Sequence, residues 1–351
     1  MSDPLRPVSM TGQSAWQDLL RLLKDSEAAN LRGSPKKKTV RGLDVWFDQY
    51  RIGEKVVERY IGEDSEELRA RMEAVQRTRE AEKLRERERS RLMRILQAEG
   101  FLRPDLATGQ MLMAMARSGV FRLGGTVVGT QAFRHYEGLL GVHLSLDDAA
   151  VTQDIDIASF ERLSVALRKS GDQVDPALGA TFSELDFVEV PSTDRAKVWR
   201  WRQTRQQTLV EFLTPSFEAE EGVRDLPALG VSAQSFHFLN YLIAEPVDVP
   251  LLYRTGAIIR VPRPERFAIH KLIVAERRRE GVDSVKSRKD RAQAALLIAH
   301  LSSEQPHVLA DAYEEAYTRG PAWRSTIDAS LRRLAPGKAA IEAALAEAGA
   351  G

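Results

Sequence analysis

Aspartates at alternate positions in Thr152-Gln153-Asp154-Ile155-Asp156-Ile157-Ala158 constrain this chain more than any other feature. Side chains of a strand point to opposite faces in turn, so Asp154 and Asp156 share one face while Ile155 and Ile157 enter a core on the other. The two carboxylates then sit roughly 6.5–7 Å apart along the backbone. Both can converge on cations about 3.5–4 Å apart, the spacing of two-metal sites. Magnesium takes hard oxygen ligands and keeps some water, so few carboxylates suffice. An isolated Asp-x-Asp is most often a polar strand face meeting solvent, and its surroundings have to decide.

Upstream lies Gly124-Gly125-Thr126, read as the turn between a short strand, Val120-Phe121-Arg122-Leu123, and a helix from Thr126 to Leu140. Free amides and the helix dipole at such a junction favour an anion. Glycines let backbone approach a phosphate without a Cβ in the way, and Thr126 adds a hydroxyl. Glycine pairs also mark ordinary turns. For a third carboxylate the best candidate is Glu211 in Leu209-Val210-Glu211-Phe212-Leu213, because a charge amid an apolar strand is costly unless paired or coordinated. Asp186 and Glu189 compete with it from a neighbouring strand.

Two charges fall in line with apolar helix faces nearer the C-terminus. Lys271 lies four residues after Phe267, and Asp290 lies four before Ala294 and seven before Leu297. A lysine reaching a triphosphate, positioned by an aspartate from the next helix, accounts for both. A snorkelling lysine and an exposed first-turn aspartate account for them equally well. Arg277-Arg278-Arg279 with Lys286, Arg288, Lys289 and Arg291 makes this the most basic region, suited to a nucleic-acid backbone or simply to solvent. The histidines show no metal-ligand spacing, and no nucleophile elbow, Gly-Lys-Ser/Thr phosphate loop or dinucleotide fingerprint is present.

Over 351 residues the pattern divides the chain into an N-terminal helix and β-hairpin module (1–62), a charged spacer helix (63–105), an α+β core (106–215) and a mixed, then helical, C-terminal part (216–351). The first module pairs a helix, Ser14 to Asn30, with a hairpin over Thr39 to Ile61 whose Trp46, Phe47, Tyr50 and Tyr60 either pack together or stack bases. The alanine-rich tail from Ala339 to Ala350 reads as a fraying helix. Lysine and arginine (51) balance aspartate and glutamate (50), so no global field draws the chain to nucleic acid or membrane. Without cysteine there are no disulfides and no thiolate-bound zinc, which fits a cytoplasmic protein. No signal peptide or membrane-spanning run is visible, so no membrane partner is expected.

Gly124-Gly125-Thr126 and the Thr152–Ile157 strand together resemble bacterial members of the polymerase-β-like nucleotidyltransferase superfamily. The hairpin ending Tyr60-Ile61-Gly62 looks like the N-terminal part of that group. More remotely, Lys271 and Lys289-Asp290 are similar to a pattern in abortive-infection nucleotidyltransferase toxins. Minimal members have Ser after a single Gly and a shorter insert before the aspartates, so this chain departs there. The resemblance implies an α+β fold with a mixed sheet flanked by helices and nucleotide held against the C-terminal helical part. It implies transfer of a nucleoside monophosphate from a nucleoside triphosphate (NTP) to an acceptor, with Mg2+ or Mn2+ on Asp154, Asp156 and Glu211. Gly124, Gly125, Thr126, Lys271 and Asp290 would bind the nucleotide. The acceptor (RNA, protein or small molecule), the preferred NTP and whether the chain forms a homodimer stay open. So do two rival functions: a toxin that extends transfer RNA, and a non-catalytic nucleic-acid-binding protein. A glycosyltransferase also uses Asp-x-Asp, but the glycine turn argues against it.

Overall fold

A computed structural model describes residues 5–27, 34–40, 42–52, 55–144, 154–192, 197–205, 208–280 and 284–350. Thr152 and Gln153 of the aspartate strand, Gly53 and Glu54 of the hairpin turn, and residues 28–30 of the first helix lie outside them. The fold is α+β. A seven-stranded mixed sheet runs in the order Val223–Leu226, Val231–Phe236, Leu209–Pro215, Asp154–Ala158, Thr126–Val128, with Arg200–Gln203 and then Phe187–Glu189 branching from the first half of the Leu209 strand. The Asp154 strand is parallel to Leu209–Pro215 and antiparallel to Thr126–Val128. Arg200–Gln203 is antiparallel to the Leu209 strand.

The alternation that predicts these strands is what builds them. Ile155, Ile157, Val210 and Phe212 are wholly buried, while Asp154, Asp156 and Glu211 on the other face keep partial access to solvent. Beneath the sheet, Phe182 packs against Trp201 at 4.8 Å between ring centroids, and Trp201 meets Phe212 edge-on at 5.5 Å. Each such pair contributes about 0.5–1.5 kcal/mol beyond the area it buries. Helix Leu106–Ser118 adds Met111, Leu112 and Met115 to the same core.

Helices Pro264–Arg277, Ser284–Glu304, Pro306–Thr318, Pro321–Leu331 and Ala335–Ala350 pack against one another beside the sheet. Proline opens the first, third and fourth, where its missing N–H has no intrahelical partner to lose. Pro264–Arg277 is buried on nearly all sides, with Phe267, Ala268, Ile269, Leu272 and Ile273 sealed from solvent. The alanine-rich tail does not fray as expected: Ile341 and Ala344 are core residues.

Several expectations change. Val120–Leu123 is a helical turn, with Leu123 N–H donating to Gly119 O and Gly125 N–H to Val120 O. Thr126–Leu140 is no single helix: Thr126–Val128 is a strand, followed by helices Gly129–Phe133 and Glu137–Leu140. Three β-branched residues in a row favour the pleat over the helix. The first helix, Met10–Glu27, does not form a module with the hairpin. It sends Trp16, Leu19 and Leu23 into the central core, and Leu5–Pro7 before it pairs with Val142–Leu144. The hairpin gains a third strand, Ser34–Val40, beside Leu43–Ile52 and Lys55–Glu63. Its lysines are matched across the sheet, Lys37 to Asp64 and Lys38 to Glu58, each at 2.6 Å. The charged helix, Glu66–Ala98, is capped by Ser65, whose hydroxyl accepts from Leu68 N–H, and buries its last turns through Leu92, Met93 and Leu96. The boundary at 215/216 also moves, because Val231–Phe236 pairs with the Leu209 strand inside the central sheet.

Candidate active site

Register brings the acids together. Asp156 stands opposite Glu211 on the neighbouring parallel strand, and Asp154 stands opposite Leu209. Facing pairs on adjacent strands share a face, so Asp154, Asp156 and Glu211 form one acidic patch. Burial, then the charges of Glu211 and Asp154, push Asp156 up to about 7, against an ordinary 3.8. Glu211 is also raised by burial, with Asp154 adding to the shift and Arg200 opposing it. Arg200 faces Glu211 in register, its Nη1 3.8 Å from Oε1, and its guanidinium lies over the Trp199 ring at 4.2 Å. Asp186 and Glu189 do not compete for the third position. Their strand lies beyond Arg200–Gln203, one strand further from the acids, and Asp186 faces Arg205 at 3.6 Å.

The strand-to-helix junction beside these acids is Val128-Gly129-Thr130. Val128 pairs with Asp156, and the Gly129–Phe133 helix begins at the next residue with no side chain capping it. Gly129 has φ +65°, and a Cβ there would fall 2.4 Å from Asp156 Oδ2. Only glycine lets the carboxylate lie against this backbone. Thr130 Oγ1 accepts from Gln293 Nε2 at 3.5 Å, tying the junction to helix Ser284–Glu304.

Gly124, Gly125 and Thr126 do not head a helix; they precede the strand. A Cβ on Gly125 would meet Val120 O at 2.9 Å, and one on Gly124 would meet Leu163 Cδ2 at 2.6 Å. Both glycines therefore answer to packing. Thr126 is buried opposite Ala158, two residues along from Asp156, and its Oγ1 has no hydrogen-bond partner.

Helices Pro264–Arg277 and Ser284–Glu304 supply positive charge. Lys271 and Asp290 are buried and paired with one another, and Arg278 Nη1 donates to the second oxygen of Asp290 at 3.1 Å. Burial pushes Asp290 up, but Lys271 and Arg278 outweigh it and hold the carboxyl below its usual range. Lys271 also lies over the Phe267 ring at 5.1 Å. Lys271 and Arg278 both act on Asp156, and Lys286 acts on Glu211. Lys289 is pushed down chiefly by burial, with Lys271 adding to the shift and Asp290 and Asp154 opposing it. The acids thus face a basic wall made by two helices.

Among the described residues no three of His, Asp and Glu close around one point as a ready-made metal cage. The donor chemistry nevertheless suits a hard divalent ion. The acidic patch consists of carboxylates that raise one another's pKa, a repulsion that a bound cation relieves. Burial pushes His135 and His270 down to about 3, and they are core residues. Gly129, Thr130, Arg200 and Arg278 are absent from the sequence-derived site. For Gly129-Thr130 the signal was a second Gly-Thr only four residues past the first, directly before the helical Gln131–Phe133 segment. Among the described residues, no helix is long and apolar enough to cross a membrane.

Comparison with known proteins places this geometry. A family described as nucleotidyltransferase matches residues 107–318, more than half of the chain and across the boundary first drawn at 215/216. A second family, described as a domain of unknown function, matches residues 13–70. No curated protein matches. One similar solved structure is an antigenic nucleotidyltransferase-like protein from Paracoccidioides brasiliensis, at 16% identity over 64% of this chain and 92% of that one, with a TM-score of 0.31. The chain belongs to the nucleotidyltransferase family.

Proposed function

We propose that the protein transfers a nucleoside monophosphate from an NTP to an acceptor hydroxyl or phosphate, using Mg2+ or Mn2+ held by Asp154, Asp156 and Glu211. The acceptor oxygen bonds to the α-phosphorus, the bond to the β-phosphate oxygen breaks, and pyrophosphate leaves. The observation that carries this reading is the register of Asp156 against Glu211 beside Asp154, with Asp156 raised to about 7 by burial and these neighbours. When bound, the divalent ions would supply charge neutralisation and hold the phosphates in place.

The chain's own residues do the rest. Glu211, raised by burial, takes the proton from the acceptor oxygen. Gly129 brings backbone close to the acids without a Cβ, and Thr130 offers a hydroxyl beside it, so these two take the phosphate-cradling part first read into Gly124, Gly125 and Thr126. Lys271 answers the negative charge of the triphosphate, and Asp290 holds its ammonium in place. Arg278 shares that carboxylate. Rate acceleration then comes from positioning and electrostatics rather than from a covalent intermediate.

Asp154→Ala with Asp156→Ala tests the reading. Incubated with each of four α-labelled NTPs, magnesium and total cellular RNA or protein, the wild type transfers label. The double variant transfers none, while its metal-free melting curve stays near or above that of the wild type. Label transfer that survives the double substitution refutes the reading.

A further inference from the structure

The cations around the acids fall into two groups. Lys271 and Arg278 share the carboxylate of Asp290, which offsets part of their charge on the side given to the triphosphate. Across the patch, strand Arg200–Gln203 alternates so that Arg200 and Arg202 lie on the face shared with Glu211, while Trp201 and Gln203 are buried opposite. Lys286, exposed in the first turn of helix Ser284–Glu304, acts on Glu211 from above. Glu211 therefore faces a basic strip built by a strand and a helix.

That strip also carries a stacking surface. Trp199 is half-buried, and the Arg200 guanidinium lies flat enough over its ring to sit 4.2 Å from the centroid. Arg200 Nε is buried without a hydrogen-bond partner. Guanidinium planes and aromatic rings are the surfaces on which unpaired bases stack. A base on the outer face of Arg200 extends a Trp–Arg–base stack, and the adjoining phosphates meet Arg202 and Lys286.

We propose that the acceptor is single-stranded RNA, entering along Trp199, Arg200, Arg202 and Lys286 with its reacting end at Glu211. This rests on the nucleotidyl-transfer reading and names its acceptor class. A protein or small-molecule acceptor needs neither a row of cations nor a stacking platform at that point.

The test is fluorescence anisotropy of the full chain with a 5′-fluorescein-labelled, 12-nucleotide single-stranded RNA at 50 and 200 mM NaCl. Contacts from Arg200, Arg202 and Lys286 to three phosphates give a single-strand salt slope of about −2, so affinity falls about 20-fold between the two salts. Arg200→Gln with Arg202→Gln shrinks that change to about threefold. Trp199→Ala weakens binding at both salts and leaves the slope in place. Arg202→Gln alone, at an exposed position, keeps the test usable if Arg200→Gln unfolds the chain, which circular dichroism reports. Absence of RNA binding at 50 mM, or binding that these substitutions do not alter, overturns the proposal. Label transferred to protein or a small molecule by a chain that binds no RNA sinks the RNA assignment and leaves the transferase reading intact. RNA binding that responds as expected, with no label transferred to any acceptor, sinks the transferase reading instead.

Discussion

Asp290→Asn removes the one carboxylate that Lys271 and Arg278 share. Lys271 and Asp290 are 5% and 2% exposed, so the ammonium loses its counter-charge where water cannot replace it. Removing one partner of a buried ion pair costs about 3–5 kcal/mol. Arg278 remains partly exposed and turns to solvent, which places the expected loss near the lower end, about 3 kcal/mol. Urea unfolding of the metal-free protein, analysed by linear extrapolation, reads this as a lower midpoint at an unchanged slope. Lys271→Met with Asp290→Asn removes the stranded charge as well and keeps the stem volume. It should return to within about 1 kcal/mol of wild type, the coupling expected of groups in direct contact. A cost below about 1 kcal/mol for Asp290→Asn, or a double variant no better than the single one, refutes the claim that this pair is a desolvated unit.

The acids give a pH dependence of known sign. Asp156 is raised to about 7 in the folded chain from an ordinary 3.8, so between those values the folded form holds a proton that the unfolded chain has released. Its contribution to stability therefore declines as pH rises through that window. Relative to Asp156→Asn, the metal-free wild type should lose about 3 kcal/mol between pH 5 and pH 8, seen by calorimetry as a Tm lower by about 4 °C. Parallel pH profiles for the two proteins count against a strained carboxylate cluster. At Gly129, alanine must adopt φ +65° and place its Cβ 2.4 Å from Asp156 Oδ2. Gly129→Ala should cost at least about 1 kcal/mol in urea unfolding and abolish label transfer, and an active, fully stable Gly129→Ala protein contradicts the assigned close approach.

Much of the site's chemistry was legible in the sequence because it is local. Alternation over Asp154–Ile157 and Leu209–Leu213 fixes which side chains share a face, whatever the rest of the sheet does. Helical spacing likewise brought Lys271 and Asp290 into buried stripes, where the structure pairs them. The glycine turn misled because Gly-Gly-Thr carries the same letters whether glycine is needed for a ligand or for Val120 and Leu163. Which of the two applies depends on contacts made across the fold. Long-range pairing was invisible for the same reason: Leu5–Pro7 joins Val142–Leu144, and Val231–Phe236 extends the central sheet past an apparent boundary. Arg200 and Arg278 read as surface charge until register and helix packing brought them to Glu211 and Asp290.

Anomalous scattering from crystals grown with Mn2+ and a non-hydrolysable NTP analogue most directly tests whether these carboxylates gather a divalent ion. The account predicts manganese density bounded by Asp154, Asp156 and Glu211, with the triphosphate reaching toward Gly129 and Lys271. Density on the far face of the sheet, or nucleotide bound with none of the three carboxylates at the metal, contradicts it.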